Sequence, residues 1–303
     1  MPSTNNHTDV KSLARGISLI ENQVEGFEEL LLNLKPSSAK IIGITGAPGA
    51  GKSSLTDALI GEMIRDEKKV AVLCVDPSSP FNKGALLGDR IRMSEWYNHP
   101  DVFIRSLASK GSLGGLHPKI FEIADFVKSA GFDFVIIETV GVGQSEVDIA
   151  AIADITIVML VPEGGDIIQT MKAGLMEVAD IFVINKSDRP GSENFYNSLM
   201  QMLSPAFNHT GKEIQVLKTV ATEKKGISDL YKKIEEWNIE NYSQHKINLL
   251  AEKIWALIQN EKMKELDKDK MKMEIEEASS KPGFNMYVFA KEYGNKKGEN
   301  YRD

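Results

Sequence analysis

A glycine-rich stretch near the start of the chain has the residue types that bind phosphate. It reads Gly-Ala-Pro-Gly-Ala-Gly-Lys-Ser over residues 46–53. Glycine lets the backbone wrap an anion with several N–H groups directed inward, because no Cβ blocks the approach. Lys52 can then reach the outer phosphates of a nucleotide, and the Ser53 hydroxyl can ligate Mg²⁺. The stretch predicts a phosphate-binding loop with these contacts: Gly46, Ala47, Pro48, Gly49, Ala50, Gly51, Lys52, Ser53 and Ser54.

The residues on either side of this loop support that prediction. Residues 41–45 are mostly isoleucine and are typical of a buried strand. Apolar side chains then recur at helical spacing after the loop, at Leu55, Leu59, Ile60 and Met63. A strand that leads through the loop into a helix places the positive end of the helix dipole next to the phosphates.

A second motif predicts which base is bound. Asn185, Lys186, Ser187 and Asp188 follow the apolar run 181–184 and match N-K-x-D. The Asp188 carboxylate can accept hydrogen bonds from both the ring N–H and the exocyclic amine of guanine, whereas adenine lacks this donor pair, so a site built on these bonds rejects adenine. The predicted ligand is therefore GTP or GDP. Ala221 and Thr222, after the next strand, are predicted to lie on the guanine side as well.

Two carboxylates at predicted strand ends are candidates for positioning Mg²⁺ and water. Asp76 ends the run 72–75, and Glu138 ends the run 134–137. Glu138 begins Glu-Thr-Val-Gly, which resembles the D-x-x-G element of GTPases, and the backbone N–H of Gly141 would contact the γ-phosphate. The alternative for each acid is a turn or helix-cap residue, and Pro77 after Asp76 favours a turn.

Alternating strands and helices must hold these residues together. Further strands are predicted over 69–75, 102–106, 132–139, 155–161, 180–185 and 214–219, and helices over 116–130, 166–178, 192–203 and 227–239. This alternation predicts an α/β fold, a P-loop GTPase domain with a mostly parallel central sheet and helical extensions at both ends. The predicted divisions are an N-terminal helical extension over 1–38, the GTPase domain over 39–243, and a C-terminal helical arm over 244–303.

Composition limits the partners and the location. The net charge of −7 over 303 residues argues against nucleic acid, which requires clustered Lys and Arg. No apolar run approaches the length of a membrane span, and the first residues lack the apolar core of a signal peptide. A single cysteine, Cys74, suits a reducing compartment. We therefore expect a cytoplasmic protein without membrane or nucleic-acid partners.

Taken together, the chain resembles the MeaB/ArgK family of SIMIBI-class GTPases, which includes the methylmalonic aciduria type A proteins. The resemblance runs from about residue 13 to 242. Besides the two nucleotide motifs, it rests on several longer stretches: 15–21 (RGISLIE), 75–80 (VDPSSP), 84–93 (GALLGDRIRM), 104–107 (IRSL), 114–115 (GG), 138–146 (ETVGVGQSE) and 165–169 (GDIIQ).

The resemblance implies a GTP-hydrolysing chaperone that gates cofactor loading and protection of an adenosylcobalamin-dependent methylmalonyl-CoA mutase. It places Asp76 and Asp89 in switch I, 138–143 in switch II, and an additional switch over 162–172 that ends at Lys172. The implied catalytic set is Lys52, Asp76, Asp89, Glu138 and Gly141, and the implied Mg²⁺ set is Ser53, Asp76, Asp89 and Glu138. The family also implies a homodimer formed through the C-terminal arm.

Hydrolysis is predicted to be slow without a partner. No residue matches the water-orienting glutamine of small GTPases, since Gln144 lies three residues beyond Gly141. Three other functions remain open at this point: a metal-insertion GTPase, a kinase of a transport system as in older family names, and a scaffold that binds nucleotide without hydrolysis. Metal insertion normally requires Cys and His clusters, and the five histidines here have no ligand spacing.

Overall fold

A computed structural model of the chain describes residues 10–76, 93–109, 116–141, 145–163, 175–210, 215–237, 244–263, 266–280 and 283–295. The chain divides into two compact units, Met1–Asn241 and Tyr242–Asp303. The first unit contains a central sheet and the second contains helices.

Seven strands form one sheet in the order β3-β2-β4-β1-β5-β6-β7, and every pair of neighbours is parallel. The strands are β1 (Lys40–Gly46), β2 (Val70–Asp76), β3 (Val102–Ala108), β4 (Phe134–Glu138), β5 (Ile155–Leu160), β6 (Ile181–Ile184) and β7 (Gln215–Lys218). The predicted α/β fold with a parallel sheet is confirmed. Predicted strand ends differ by a few residues, since apolar residues such as Phe132 continue beyond the hydrogen-bonded ladder.

Nearly all side chains of the inner strands are buried, because helices cover both faces of the sheet. The helices of the first unit are α1 (Val10–Asn22), α2 (Phe27–Leu32), α3 (Lys52–Arg65), α4 (Ile120–Lys128), α5 (Ser145–Ile152), α6 (Leu175–Val178), α7 (Ser192–Thr210) and α8 (Ile227–Glu236). α3 and α8 pack on one face, while α1, α4 and α5 pack on the other together with α6 and α7. Strands buried on both sides explain why the sequence shows continuous apolar runs rather than alternation.

The helices differ from the sequence-based predictions at several places. α4 is shorter than the predicted 116–130, and α7 continues to Thr210, beyond the predicted end at 203. Of the predicted helix 166–178, residues 166–174 lie outside the described residues. Helix α5 was not predicted, because its apolar residues are spread around the helix rather than along one face. Helix α8 ends at Glu236 and not at 239, because Lys40 terminates it. The Lys40 ammonium donates to the carbonyls of Ile234 (3.0 Å), Glu235 (2.7 Å) and Trp237 (2.8 Å). Burial lowers the pKa of Lys40, although Glu235 and Asp154 act in the opposite direction.

Helix α1 is attached to the sheet by a polar contact as well as by its apolar face. The Arg105 guanidinium on β3 donates to Glu21 Oε2 (3.2 Å) and to Ser18 Oγ (3.3 Å). Two of the stretches that carry the family resemblance, 15–21 and 104–107, therefore meet in space. Their contact holds α1 against the central sheet.

The second unit contains α9 (Gln244–Met263), α10 (Lys268–Ser279) and α11 (Met286–Asn295). Asp267 caps α10, and its carboxylate accepts from the backbone N–H groups of Asp269 (2.9 Å) and Lys270 (3.0 Å). These backbone hydrogen bonds lower the pKa of Asp267. Across the described ranges, no helix has both the length and the apolar character needed to cross a membrane.

Candidate nucleotide site

The candidate residues lie where the parallel strands end, at one edge of the sheet. β1 runs into the predicted phosphate loop, β2 ends at Asp76, β4 ends at Glu138, and β6 is followed by Asn185. β1 lies between β4 and β5, which the chain reaches only later. Ligands of open α/β sheets bind at this kind of position, outside the carboxyl ends of the strands.

The loop between β1 and α3 has the backbone shape that its glycines allow. Gly51 has φ +94°, and a Cβ at this position would overlap Nδ2 of Asn185. Ala47, Pro48 and Gly49 are exposed, so the outer part of the loop is open to an incoming ligand. α3 begins directly after Gly51, so its free N–H groups and its positive dipole end are directed at the loop.

Lys52 lies buried under the loop, with only 7% of its surface exposed. Its ammonium donates to the carbonyls of Gly46 (2.9 Å) and Ala47 (3.3 Å). These bonds hold the cation at the base of the loop, beside the N-terminus of α3. A phosphate in the loop would be bound by a fixed positive charge rather than by a mobile surface lysine.

Glu138 is held by two hydroxyls from the first turns of α3. Ser53 Oγ donates to Oε1 at 2.7 Å, and Thr56 Oγ1 donates to Oε2 at 3.1 Å. Glu138 is 2% exposed, so these bonds satisfy a carboxylate that water barely reaches. The serine predicted to ligate Mg²⁺ and the acid predicted to position it therefore lie in direct contact.

A hydroxyl pair also links the ends of β1 and β4. Thr139 Oγ1 donates to Thr45 Oγ1 (2.9 Å), and the Thr139 backbone N–H donates to the Ile44 carbonyl (3.1 Å). These bonds tie the residues just before the phosphate loop to the start of the predicted switch II.

Gly141 lies directly against the phosphate loop. Its φ is +83°, and a Cβ there would overlap the Gly46 carbonyl oxygen and lie 2.7 Å from Lys52 Nζ. Only glycine allows this close approach, which places the predicted switch II next to the lysine and the loop. The contact of its N–H with a γ-phosphate stays a prediction.

We expect Gly141→Ala to lower GTP hydrolysis by about 10- to 100-fold, because the added methyl group displaces the loop or the lysine from its working position. Gly191→Ala is a matched control, since Gly191 has φ +87° but no atom within 4 Å of an added Cβ. Both variants carry the same backbone strain, and only the first adds a clash. Equal phosphate-release rates for the two variants would show that the approach of Gly141 is unimportant.

Asp76 is also buried at this edge, with 2% of its surface exposed. β2 pairs with β4 so that Cys74 lies opposite Glu138, which places Asp76 beyond Glu138 on the neighbouring strand. Asp89, residues 142–143 of the predicted switch II, Gln144 and residues 164–172 of the additional switch lie outside the described residues. Of the residues predicted to hold the metal, Ser53, Asp76 and Glu138 lie at this edge of the sheet.

The donors at this edge fit Mg²⁺. Mg²⁺ prefers oxygen ligands, keeps several waters, and typically takes one or two carboxylates plus substrate phosphates. A hydroxyl and a carboxylate next to a phosphate loop provide that kind of site. Over the described part of the chain, no group of three or more His, Cys, Asp or Glu residues could hold a metal ion. That part gives no support to the metal-insertion alternative.

Asn185 connects three loops of the site. Its Nδ2 donates to the Ala50 carbonyl (2.8 Å), while Oδ1 accepts from Thr219 Oγ1 (3.1 Å) and from the Ala221 N–H (3.1 Å). The structure thus uses Asn185 and the Ala221 N–H to join the phosphate loop to the segments after β6 and β7. Among the residues predicted to contact the base, Asp188 and Thr222 are exposed to solvent.

Charged side chains surround this guanine corner. Glu163, just after β5, forms ion pairs with Lys186 (3.7 Å) and with Arg189. Lys225 is hydrogen-bonded to Glu223, which raises the pKa of the Lys225 ammonium, and the negative charge of Asp188 adds a smaller contribution.

Two contacts of the site were not predicted from the sequence. Thr56 follows Ser53 by three residues in a helix, so the spacing alone could have placed the two side chains on the same face of α3. That this face meets Glu138 depends on the fold. No comparable signal exists for Glu163, because its partners Lys186 and Arg189 follow a different strand. Contacts of that kind depend on which strands become neighbours in the sheet.

Several known proteins are similar to this chain in sequence. The family described as Methylmalonyl Co-A mutase-associated GTPase MeaB matches residues 13–275. GTPase ArgK of Escherichia coli (strain K12) is 38% identical over 232 residues, which are 73% of this chain and 70% of that protein. A fused isobutyryl-CoA mutase of Geobacillus kaustophilus (strain HTA426) is 38% identical over 230 residues, which are 71% of this chain and 21% of that protein.

A solved structure is similar to this chain over most of its length. The crystal structure of an LAO/AO transport system kinase matches with a TM-score of 0.63 at 26% sequence identity. The match covers 95% of this chain and 93% of the other. The similarity in three dimensions therefore extends well beyond the phosphate loop.

Proposed function

Because this chain belongs to the family of methylmalonyl-CoA mutase-associated GTPases, MeaB, and is therefore a GTPase, we propose that it acts on an acyl-CoA mutase. In this proposal, binding and hydrolysis of GTP gate the loading and protection of the adenosylcobalamin cofactor of a mutase of the methylmalonyl-CoA class. Hydrolysis converts GTP to GDP and phosphate, and the mutase responds to the change in the switch segments.

The observation that supports a mutase as the partner is the similarity to the fused isobutyryl-CoA mutase. About a fifth of that protein, 21%, resembles this chain, so a GTPase segment of this type occurs in one polypeptide with an acyl-CoA mutase. Segments that are fused in one protein and separate in another commonly act on each other. This supports a mutase as the partner, and the mutase of the methylmalonyl-CoA class is our specific choice within that group.

The site residues have distinct proposed roles. The N–H groups of the loop and the Lys52 ammonium bind the phosphates, and the Asp188 carboxylate selects guanine. Ser53, Asp76, Glu138 and Asp89 would hold Mg²⁺, which when bound neutralises charge on the phosphates. Glu138 accepts hydrogen bonds at the buried edge of the site, and the N–H of Gly141 would contact the γ-phosphate.

Glu163 offers a link between the nucleotide and the proposed partner. It lies at the start of the additional switch implied by the resemblance and pairs with Lys186 of the guanine motif. A nucleotide that moves Lys186 would disturb this ion pair. We propose that this ion pair couples binding of the base to the additional switch over 162–172, the segment proposed to contact the mutase.

The experiment measures phosphate release from GTP by the full chain, alone and with a methylmalonyl-CoA mutase or an isobutyryl-CoA mutase. We expect slow turnover alone and at least about 10-fold faster turnover with the cognate mutase, since a partner completes the catalytic set. Stimulation by neither enzyme would reject the mutase partner while leaving the GTPase assignment intact. Absence of turnover in every condition would leave only the nucleotide-binding scaffold.

The C-terminal arm is proposed to pair two copies of the chain. Apolar side chains are exposed along α9, at Ile247, Leu250, Ile254, Trp255, Leu257 and Ile258. A helix with this much exposed apolar surface commonly marks an interaction site. The domain limits 1–38, 39–243 and 244–303 and the cytoplasmic location remain predictions.

A further inference from the structure

We propose that Thr56 is a positioning residue for GTP hydrolysis, because its hydroxyl fixes the carboxylate of Glu138 at the Mg²⁺ site. The inference rests on the role proposed above for Glu138. Thr56 has no place in the phosphate-loop motif, which ends at Ser53. It is fully buried, at 0% exposure, and lies one turn further along α3.

The two hydroxyls hold the two oxygens of Glu138 separately. Ser53 and Thr56 are three residues apart in a helix, so their side chains lie on the same face. Ser53 Oγ is 2.7 Å from Oε1, and Thr56 Oγ1 is 3.1 Å from Oε2. A carboxylate bonded through one oxygen can still rotate about its last torsion, whereas bonds to both oxygens fix its plane.

A simpler explanation is that Thr56 only bonds back to its own helix. Its Oγ1 also lies 3.0 Å from the Lys52 carbonyl, a usual partner for a threonine in a helix. The hydroxyl has one proton, however, and a bond to an ionised carboxylate is roughly twice as strong as a bond to a neutral acceptor. The Lys52 carbonyl also has its regular intrahelical partner, and we therefore assign the proton to the bond with Glu138.

The orientation matters because Glu138 is one of the residues proposed to hold Mg²⁺. With both of its oxygens bonded, the plane of the carboxylate is set by Ser53 and Thr56. Groups one shell outside the ligands of a metal commonly set its affinity and the activity of the site. Thr56 would act on Mg²⁺ in this way, through Glu138.

The test compares Thr56→Val with Thr56→Ser in the full chain. Valine keeps the shape and removes the hydroxyl, and serine restores it. The first readout is release of a fluorescent GDP analogue as Mg²⁺ is titrated, with an EDTA series as the metal-free reference. The second readout is kcat and KM for GTP. Thr156→Val is the control for loss of a buried hydroxyl. Thr156 is buried near the start of β5, whereas the site lies where the strands end.

For Thr56→Val we expect the Mg²⁺ concentration that half-maximally slows GDP release to rise about 10-fold, with kcat falling about 10-fold. The rate of release of the GDP analogue in EDTA and the KM for GTP should stay near the parent values. Thr56→Ser should restore the Mg²⁺ dependence and kcat. A purely structural role would lower the melting temperature of Thr56→Val and Thr156→Val alike and leave the Mg²⁺ titration unchanged. That outcome overturns the inference.

Two further variants keep the result decisive. Thr56→Ala replaces valine if the β-branched variant folds poorly, because alanine is the best helix former. Glu138→Gln separates this inference from the role on which it rests. If Glu138→Gln alters the Mg²⁺ titration and the Thr56 variants do not, only the role of Thr56 fails. If Glu138→Gln has no effect either, the proposed metal role of Glu138 fails first.

Discussion

Replacing Lys52 with alanine should lower the affinity for GTP by about 100-fold or more, and hydrolysis at limiting GTP by about 1,000-fold. The reason is the position of the ammonium, which lies 2.9 Å from the Gly46 carbonyl and 3.3 Å from the Ala47 carbonyl. No other cation takes part in the hydrogen bonds described for this loop. Titration calorimetry with GTP and a phosphate-release assay measure the two effects.

The Lys52 variant needs a stability control, because the lysine also bonds two carbonyls of the loop. Lys52→Met keeps most of the side-chain volume, and its melting temperature shows whether the loop remains folded. Lys68→Ala is the matched surface control, since Lys68 precedes β2 at the far end of the sheet and pairs only loosely with Glu235 (3.9 Å). GTP affinity in a folded Lys52 variant equal to that of Lys68→Ala would refute the role of Lys52.

The second large effect is expected for Asp188→Asn. In the proposed site the carboxylate accepts two hydrogen bonds from guanine. Bonds of charged groups contribute roughly 1.5–3 kcal/mol each, so GTP affinity should fall by about 100-fold or more. Binding of ATP should change little, because adenine lacks that donor pair. The ratio of GTP to ATP affinity, measured by competition against fluorescent GDP, therefore decreases.

Xanthosine triphosphate supplies the positive control for Asp188→Asn. Xanthine has a carbonyl where guanine has the exocyclic amine, and the amide of asparagine can donate to it. The variant should bind xanthosine triphosphate better than the parent protein does. An unchanged discrimination between GTP and ATP would show that Asp188 does not contact the base, and the guanine assignment would then need another residue.

Both variants test residues that sequence reasoning singled out, and their neighbours show the limit of that reasoning. Asn185 was predicted as part of the base contact on the strength of its motif. In the structure its side chain bonds Ala50, Thr219 and Ala221, so it joins the loops. A four-residue motif predicts the strand end and the base, but it does not predict which of its residues contacts the base and which joins the loops.

The same limit applies to the helix boundaries. The apolar spacing of residues 227–239 predicts a helix, and α8 does form over most of that range. Its end is decided by Lys40, a residue nearly 200 positions earlier whose ammonium bonds the last carbonyls. Local pattern predicts the existence of a helix, while its end depends on a distant side chain.

The sequence by itself determined the parallel α/β architecture, the phosphate loop and the choice of guanine. These depend on local rules: strand-length apolar runs, glycines that free the backbone around an anion, and a carboxylate that follows a strand. The tertiary structure alone decided that Ser53 and Thr56 both hold Glu138, that Gly141 lies against Lys52, and that Glu163 pairs with Lys186. These contacts join segments tens of residues apart, because the order of strands in a sheet brings together strand ends that the sequence keeps separate.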